Sequence, residues 1–221
     1  MKNRKTILDS DKKGGIGDRF RSKRFQYLEQ CLDNINGPIR ILDVGGAEYF
    51  WENRDFHLRE NIHITLLNLN KTEVKYHNFE SIIGNATDLS EYLDNSFDLV
   101  FSNSVIEHLY TWENQQKMAR ECQRVGKYYF VQTPNKYFFL EPHYLLPFFQ
   151  FIPKKIGFWI LTRTKLSRGY QWTSQNAEQY LDEIRLLDRR EIKFLFPQSK
   201  IYTEKFIGLK KSFTAHNFVT N

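Results

Sequence analysis

Five short apolar runs alternate with helix-forming segments between residues 39 and 134, and this alternation constrains the fold more than any other feature. The runs are Pro38–Val44 (PIRILDV), Ile62–Asn70 (IHITLLNLN), Glu80–Ile83, Leu99–Ser102 and Gly126–Asn135 (GKYYFVQTPN). Such an alternation predicts an open parallel sheet with helices on both faces. Ligands of such sheets sit at the carboxyl ends of the strands, near the point where strand order reverses. The residues just after each run are polar or glycine-rich: Gly45 to Ala47, Asn68 to Asn70, Asn85 to Asp88, Asn103 to His108, and Thr133 to His143. They are therefore expected to share one edge.

The flanking segments complete the expected chain. Phe25, Leu28, Leu32 and Ile35 mark one apolar helix face, stopped by Gly37-Pro38. Ala47 to Asn61 reads as helical with a poor pattern. In WENQQKMARECQRV, Met118, Cys122 and Val125 share an inner face. Beyond residue 136 the chain is aromatic, proline-broken and basic, so 136–180 is expected to form a lid or substrate insertion. Residues 176–196 read as one helix, with Tyr180, Leu181, Ile184 and Leu187 on its face. Residues 200–208 and 210–218 read as two antiparallel final strands. The expected division is a basic arm and helix at 1–37 and a catalytic domain at 38–221.

Charge is uneven along the chain. The net charge is +6, and residues 1 to 24 carry nine Lys/Arg against three acids. The rest is neutral, which argues against a nucleic-acid surface. The arm reads as a solvated terminus or a contact for phosphates or anionic lipid. No export signal and no membrane-length apolar run is visible, so a cytoplasmic location is expected, with peripheral membrane contact as its variant. Cys31 and Cys122 lie in expected helices and read as plain buried thiols. No histidine or cysteine spacing suggests a metal site, so none is expected, and His57, His63, His77 and His216 read as surface or structural.

The stretch RILDVGGAEYFWEN ends a strand in an acid and two glycines. A G-x-G-x-x-G motif beginning at Gly45 would need glycines where Ala47 and Phe50 stand, so a nicotinamide or flavin site is disfavoured. A phosphate-cradling P-loop is absent. ILDVGGA, GNATDL, FDLVFSNSVIEHL, FVQTPN with EPH, and the terminal pair of strands together resemble the class I S-adenosylmethionine-dependent methyltransferases. Within that class the motifs resemble the bacterial small-molecule branch, methyltransferase type 11-like. The resemblance spans roughly residues 38 to 218. It implies a Rossmann-like, mostly parallel seven-stranded sheet with an antiparallel last strand, and S-adenosyl-L-methionine as cofactor.

The resemblance assigns roles one residue at a time. Gly45, Gly46 and Ala47 let the methionine part of the cofactor pass the backbone, with Asp43 orienting the turn. Asn68 and Leu69, with Asn70 beside them, stand at the ribose. Asn85, Ala86, Thr87 and Asp88 face the adenine. Asn103, Ser104 and Val105 flank the sulfonium. Asn68, Asn70 and Asn85 are amides where acids are frequent, so charge-assisted bonds are lost there.

Methyl transfer is an in-line displacement, in which the protein supplies alignment and exclusion of water. A weakly acidic acceptor also needs a base. His108 and His143 are the candidates, with Glu141 a weaker third. His108 has a second reading as a brace for the following helix, and His143 as a lid hydrogen bond. The expected function is methyl transfer to O or N of a small-molecule or lipid- or sugar-linked acceptor. A non-catalytic methyltransferase-like binding module is the alternative, and a nucleic-acid methyltransferase ranks below both. The lid aromatics Tyr137, Phe138, Phe139, Tyr144, Phe148, Phe149, Phe151, Phe158 and Trp159 would cover the sheet edge, form an acceptor pocket or touch a membrane surface.

Overall fold

The computed structural model describes residues 16–33 and 35–219. Residues 1–15 of the expected basic arm lie outside these, and its residues 16–24 belong to the first helix. The chain forms a seven-stranded sheet of β1 (Ile39–Val44), β2 (Ile62–Asn68), β3 (Phe79–Ile83), β4 (Phe97–Asn103), β5 (Gly126–Pro134), β8 (Lys200–Phe206) and β9 (Leu209–His216). Its order is β3-β2-β1-β4-β5-β9-β8. The first five strands are parallel, and β9 runs antiparallel to both β5 and β8. Strand order reverses between β1 and β4, so the crevice between their carboxyl ends is the natural ligand edge.

Strand alternation sorts the core into two layers. Ile39 and Ile41 of β1 pack with Phe25, Leu28 and Leu32 of helix α1 (Ile16–Leu32) and with Trp51 of helix α2 (Glu48–Glu52). Leu42 and Val44 face the other way, toward Met118, Ala119, Cys122 and Val125 of helix α3 (Trp112–Val125). Helix α2 is much shorter than the expected helical segment, which otherwise gives turns and the 3₁₀ turn Phe56–Leu58. Both cysteines are buried and free, and burial pushes their thiols up to about 11 (Cys31) and about 12 (Cys122).

The segment after β5 leaves and returns at one stem: Lys136 N–H donates to the Leu187 carbonyl (3.0 Å). Between lie the short strands β6 (Leu140–Glu141) and β7 (Leu146–Pro147), helix α4 (Lys154–Arg163) and helix α5 (Ser174–Glu183). Tyr144, Phe149, Leu161, Trp172 and Ala177 form a small core of its own. Residues 176–196 are not one helix. Helix α5 stops at Glu183 and helix α6 (Arg189–Leu195) starts after a capping box, in which Asp188 accepts from Glu191 N–H and Glu191 accepts from Asp188 N–H. The break lets Leu187 enter the main core while Ile184 stays in the insertion core.

His216 is buried, its Nε2 3.0 Å from the Tyr27 hydroxyl. Burial, with a smaller effect of Lys200, lowers its pKa from 6.5 to about 4. A proton is then taken up by the unfolded chain before the folded one. The His216 contribution to stability should fall as pH drops through the window from about 6.5 to 4, by about 3 kcal/mol in all. The buried Asp43 carboxyl, pushed up to about 7, opposes it there, because the folded chain takes up that proton first. Urea unfolding across the window should therefore show stability holding up better toward acid in His216→Gln than in the wild type. An unchanged pH dependence in the variant would mean that His216 carries none of it.

Candidate functional site

The turn after β1 is built tightly. Gly45 has φ +73° and donates its N–H to the Leu67 carbonyl (2.8 Å). A Cβ on Gly45 would lie 2.5 Å from Val105 Cγ2, and one on Gly46 would lie 1.8 Å from Asp43 Oδ2. Only glycine fits either position. Asp43 is buried beneath the turn and accepts from Trp51 Nε1 (2.6 Å). Burial pushes its carboxyl up to about 7 against the opposing effect of that bond. Asn68 closes the turn from β2, its Nδ2 donating to the Gly46 carbonyl (2.9 Å). Ala47 precedes α2 in an extended conformation.

Farther along the edge, Asn85 Oδ1 accepts from Thr87 N–H (3.0 Å) and Thr87 Oγ1 (2.9 Å). Asp88 Oδ1 accepts from Ser90 N–H (3.1 Å), and its hydrogen bonds to Ser90 hold its pKa down. Ala86 is buried, whereas Leu69 is 75% exposed beside Asn68. This stretch is open to solvent and presents an apolar side chain next to fixed polar turns.

The end of β4 is different. Asn103 Oδ1 accepts from Arg24 Nη2 (2.8 Å). Ser104 takes a left-handed conformation (φ +58°), rare outside glycine. It is held by two bonds to Gln132: its N–H to the carbonyl (3.1 Å) and its Oγ to Oε1 (2.8 Å). Val105 packs beneath Gly45. Arg24 is itself buried and ion-paired with Glu204 (2.9 Å).

His108 and His143, 35 residues apart, come together. Their Nε2 atoms are 3.2 Å apart. His108 Nδ1 is 2.6 Å from Glu183 Oε1, and His143 Nδ1 is 2.6 Å from Glu141 Oε1. Arg168 braces the loop by donating to the His143 (2.7 Å) and Pro142 (3.1 Å) carbonyls. Burial of the His143 ring works to lower its pKa, but the hydrogen bond and charge of Glu141, with Glu107 beyond, outweigh it and raise it. Glu141 is buried and committed to His143 and to Tyr144 N–H (2.8 Å), which makes it a positioning group rather than a base. The helix-bracing role falls to Thr111, whose Oγ1 accepts from Asn114 N–H (3.2 Å), not to His108.

A cavity of about 620 Å³ opens at this end of the sheet, lined among others by Arg24, Asn103, Ser104, His108, Gln132 and His143. Gly45, Gly46, Ala47, Asn68, Leu69 and residues 85–88 do not line it. They lie at the ends of β1, β2 and β3, on the open side of the same edge.

Residues 53–128 match the family model described as "Methyltransferase domain". This match, over about a third of the chain, together with the sheet order supports a class I S-adenosylmethionine-dependent methyltransferase. The matched span holds Asn68, Leu69, residues 85–88, Asn103–Val105 and His108, and leaves the glycine turn and His143 outside it. No curated protein matches. Among solved structures, the chain is similar to the citrinin polyketide synthase CMeT domain, at TM-score 0.61 and 14% identity, covering 95% of this chain and 55% of that one. It is similar at TM-score 0.50 and 16% identity to a putative methyltransferase from an antibiotic biosynthesis pathway of Anabaena variabilis, covering 82% and 64%. A Rhodobacter sphaeroides structure titled as putative Zn-dependent alcohol dehydrogenases aligns at TM-score 0.54 and 14% identity, covering 90% and 88%. Identities this low speak to the fold alone. S-adenosylmethionine is the cofactor of the class.

The sequence reading missed Arg24, Gln132, Glu107 and Glu183. Three carried a signal: Arg24 lies four residues before Leu28 on the apolar face of α1, Gln132 interrupts an apolar strand, and Glu107 is acidic yet buried after Ile106. Glu183 carried none, because its partner His108 is 75 residues away.

Proposed function

We propose that the methyltransferase moves a methyl group from S-adenosylmethionine to an oxygen or nitrogen of a small-molecule or lipid- or sugar-linked acceptor held in the cavity. The observation that carries this reading is the histidine pair opening onto that cavity beside Asn103 and Ser104, at the strand switch point. The edge fits the cofactor: the turn at Gly45 and Gly46 has no room for a Cβ, and Leu69 is left exposed. The backbone of Gly45 and Gly46 would border the methionine part, and Asn68 Oδ1 would accept from a ribose hydroxyl. Asn85 to Asp88, with Leu69, would enclose the adenine. Asn103, Ser104 and Val105 would flank the sulfonium.

When bound, the cofactor supplies an electrophilic methyl carbon. The chain does the rest by orientation and by excluding water. Ser104 is fixed by Gln132, so the end of β4 is preorganised, and the insertion covers the acceptor side. The histidine pair handles the acceptor's proton. Phe148, Phe151, Ile156 and Trp159 are half or more exposed near Lys154 and Lys155, which supports an acceptor at a membrane surface. No helix among the described residues is long and apolar enough to cross a membrane.

The test incubates the protein with methyl-labelled S-adenosylmethionine and fractionated cell extract. Label is expected in a small-molecule, lipid or glycan fraction, and calorimetry should show binding of the cofactor but not of NAD. Cofactor binding with no labelled fraction would favour the non-catalytic module. Label in RNA or DNA would overturn the acceptor class, and absence of cofactor binding would overturn the whole reading.

A further inference from the structure

We infer that Glu107, His108 and His143 form a binding site for one divalent transition-metal ion at the acceptor side of the cavity. Three ligand atoms, one from each residue, lie within 4.8 Å of one another. A carboxylate only accepts hydrogen bonds, so Glu183 and Glu141 each draw the proton of the facing imidazole to Nδ1. Both Nε2 atoms of the neutral rings are then bare lone pairs, and they face each other at 3.2 Å. Glu107 adds a third. It is fully buried; its Oε2 accepts from Thr133 Oγ1 (3.0 Å), and its Oε1 finds no partner among the described residues. Three electron-pair donors converging without a hydrogen between them repel unless a positive charge sits among them.

The geometry suits a metal. Zinc-to-imidazole bonds of about 2.0–2.1 Å at a tetrahedral centre put two nitrogens about 3.3 Å apart. The Glu183 and Glu141 contacts are the carboxylate–histidine bonds that fix the tautomer and orientation of metal-bound imidazoles. Two imidazoles and one carboxylate suit zinc, cobalt, iron or manganese better than calcium. His108 and His143 border the cavity, so the remaining coordination positions face the acceptor.

This deepens the proposed function, on which the next step rests. A hydroxyl of the acceptor would give a lone pair to the ion and release its proton to solvent. The oxygen then bonds to the methyl carbon, the carbon–sulfur bond breaks, and its electron pair stays on sulfur. The acceptor class is therefore a hydroxyl compound, with the histidines holding the ion instead of taking the proton themselves.

The test is direct binding, independent of turnover. Full-length protein treated with EDTA is titrated with Zn²⁺, and separately with Co²⁺ followed by visible absorption. About one equivalent should bind with micromolar or tighter affinity, and Co²⁺ should give the intense visible bands of a low-coordinate site. His108→Ala and His143→Ala should each weaken binding about 100-fold with unchanged circular dichroism, and Glu183→Gln about tenfold or more. Wild-type protein that binds less than about a tenth of an equivalent, or Co²⁺ binding unaffected by both histidine variants, overturns the site. A pair that shares a proton instead gives that first result. Metal bound without methyl transfer leaves the site standing and removes the activity. Methyl transfer undiminished by EDTA, with no metal bound, does the reverse.

Discussion

Gly46→Ala is expected to lower S-adenosylmethionine affinity at least 100-fold, which is about 3 kcal/mol. The added Cβ would fall 1.8 Å from Asp43 Oδ2, well inside contact distance. Asp43 cannot swing away, because it is buried and bonded to the Trp51 indole. The turn must move, and its movement breaks the Asn68 bond to the Gly46 carbonyl. Gly45→Val adds backbone strain, since φ is +73° there and a branched side chain resists that conformation. Its Cβ would also strike Val105, so Val105→Ala should restore part of the loss in a Gly45→Ala background and nothing in Gly46→Ala. Gly37→Ala is the control: its φ is +87°, but nothing lies within 4 Å of the added carbon. It should cost stability without touching affinity. Calorimetry and thermal melts separate the two effects. A Gly46→Ala protein that binds within about threefold of wild type would move the cofactor away from this turn.

Arg24→Met should destabilise the fold by about 3–5 kcal/mol. Arg24 is 6% exposed, and its guanidinium bridges Glu204 of β8 and Asn103 of β4. Burial lowers its pKa against the opposing charge of Glu204. Removing it strands a Glu204 carboxylate that is 3% exposed and keeps, among the described residues, the Ser212 hydroxyl as a donor. An unpaired buried charge is what makes the loss large, so Arg24→Met with Glu204→Leu should recover most of it. Both variants should also bind the cofactor more weakly, because Asn103 lacks its Arg24 donor in each. Urea denaturation of the single and double variants, with cofactor titration of the double, tests both halves. A single variant within about 1 kcal/mol of wild type would mean that water satisfies Glu204.

The strands and helix α3 were legible in the sequence because their patterns are local. Apolar runs of strand length, glycines after Asp43 and a 3.6-residue period in 112–125 need no distant partner to be read. The shared polar edge followed from the same facts, since residues after parallel strands must share one end of the sheet. Where sequence reading failed, a short-range signal competed with the periodicity. In 176–196 the helical period continues through Asp188, but the capping box restarts the helix and sends Leu187 to the main core. Ala47 to Asn61 has too few periodic apolar positions to sustain a helix, and Trp51 and Phe56 bury from a short helix and a turn instead.

The sequence by itself determined the sheet, its polar edge and the two histidines as candidates. The tertiary structure alone decided what those histidines face. The stem at Lys136 and Leu187, with the Arg185 N–H bond to the Glu107 carbonyl (2.8 Å), folds the insertion back over β4. That packing brings residues 107, 108, 141, 143 and 183 into one cluster, though no spacing along the chain marks them as a set. Contacts between residues 35 and 75 positions apart depend on how the insertion docks, and docking is fixed by packing and pairing that a linear pattern does not record.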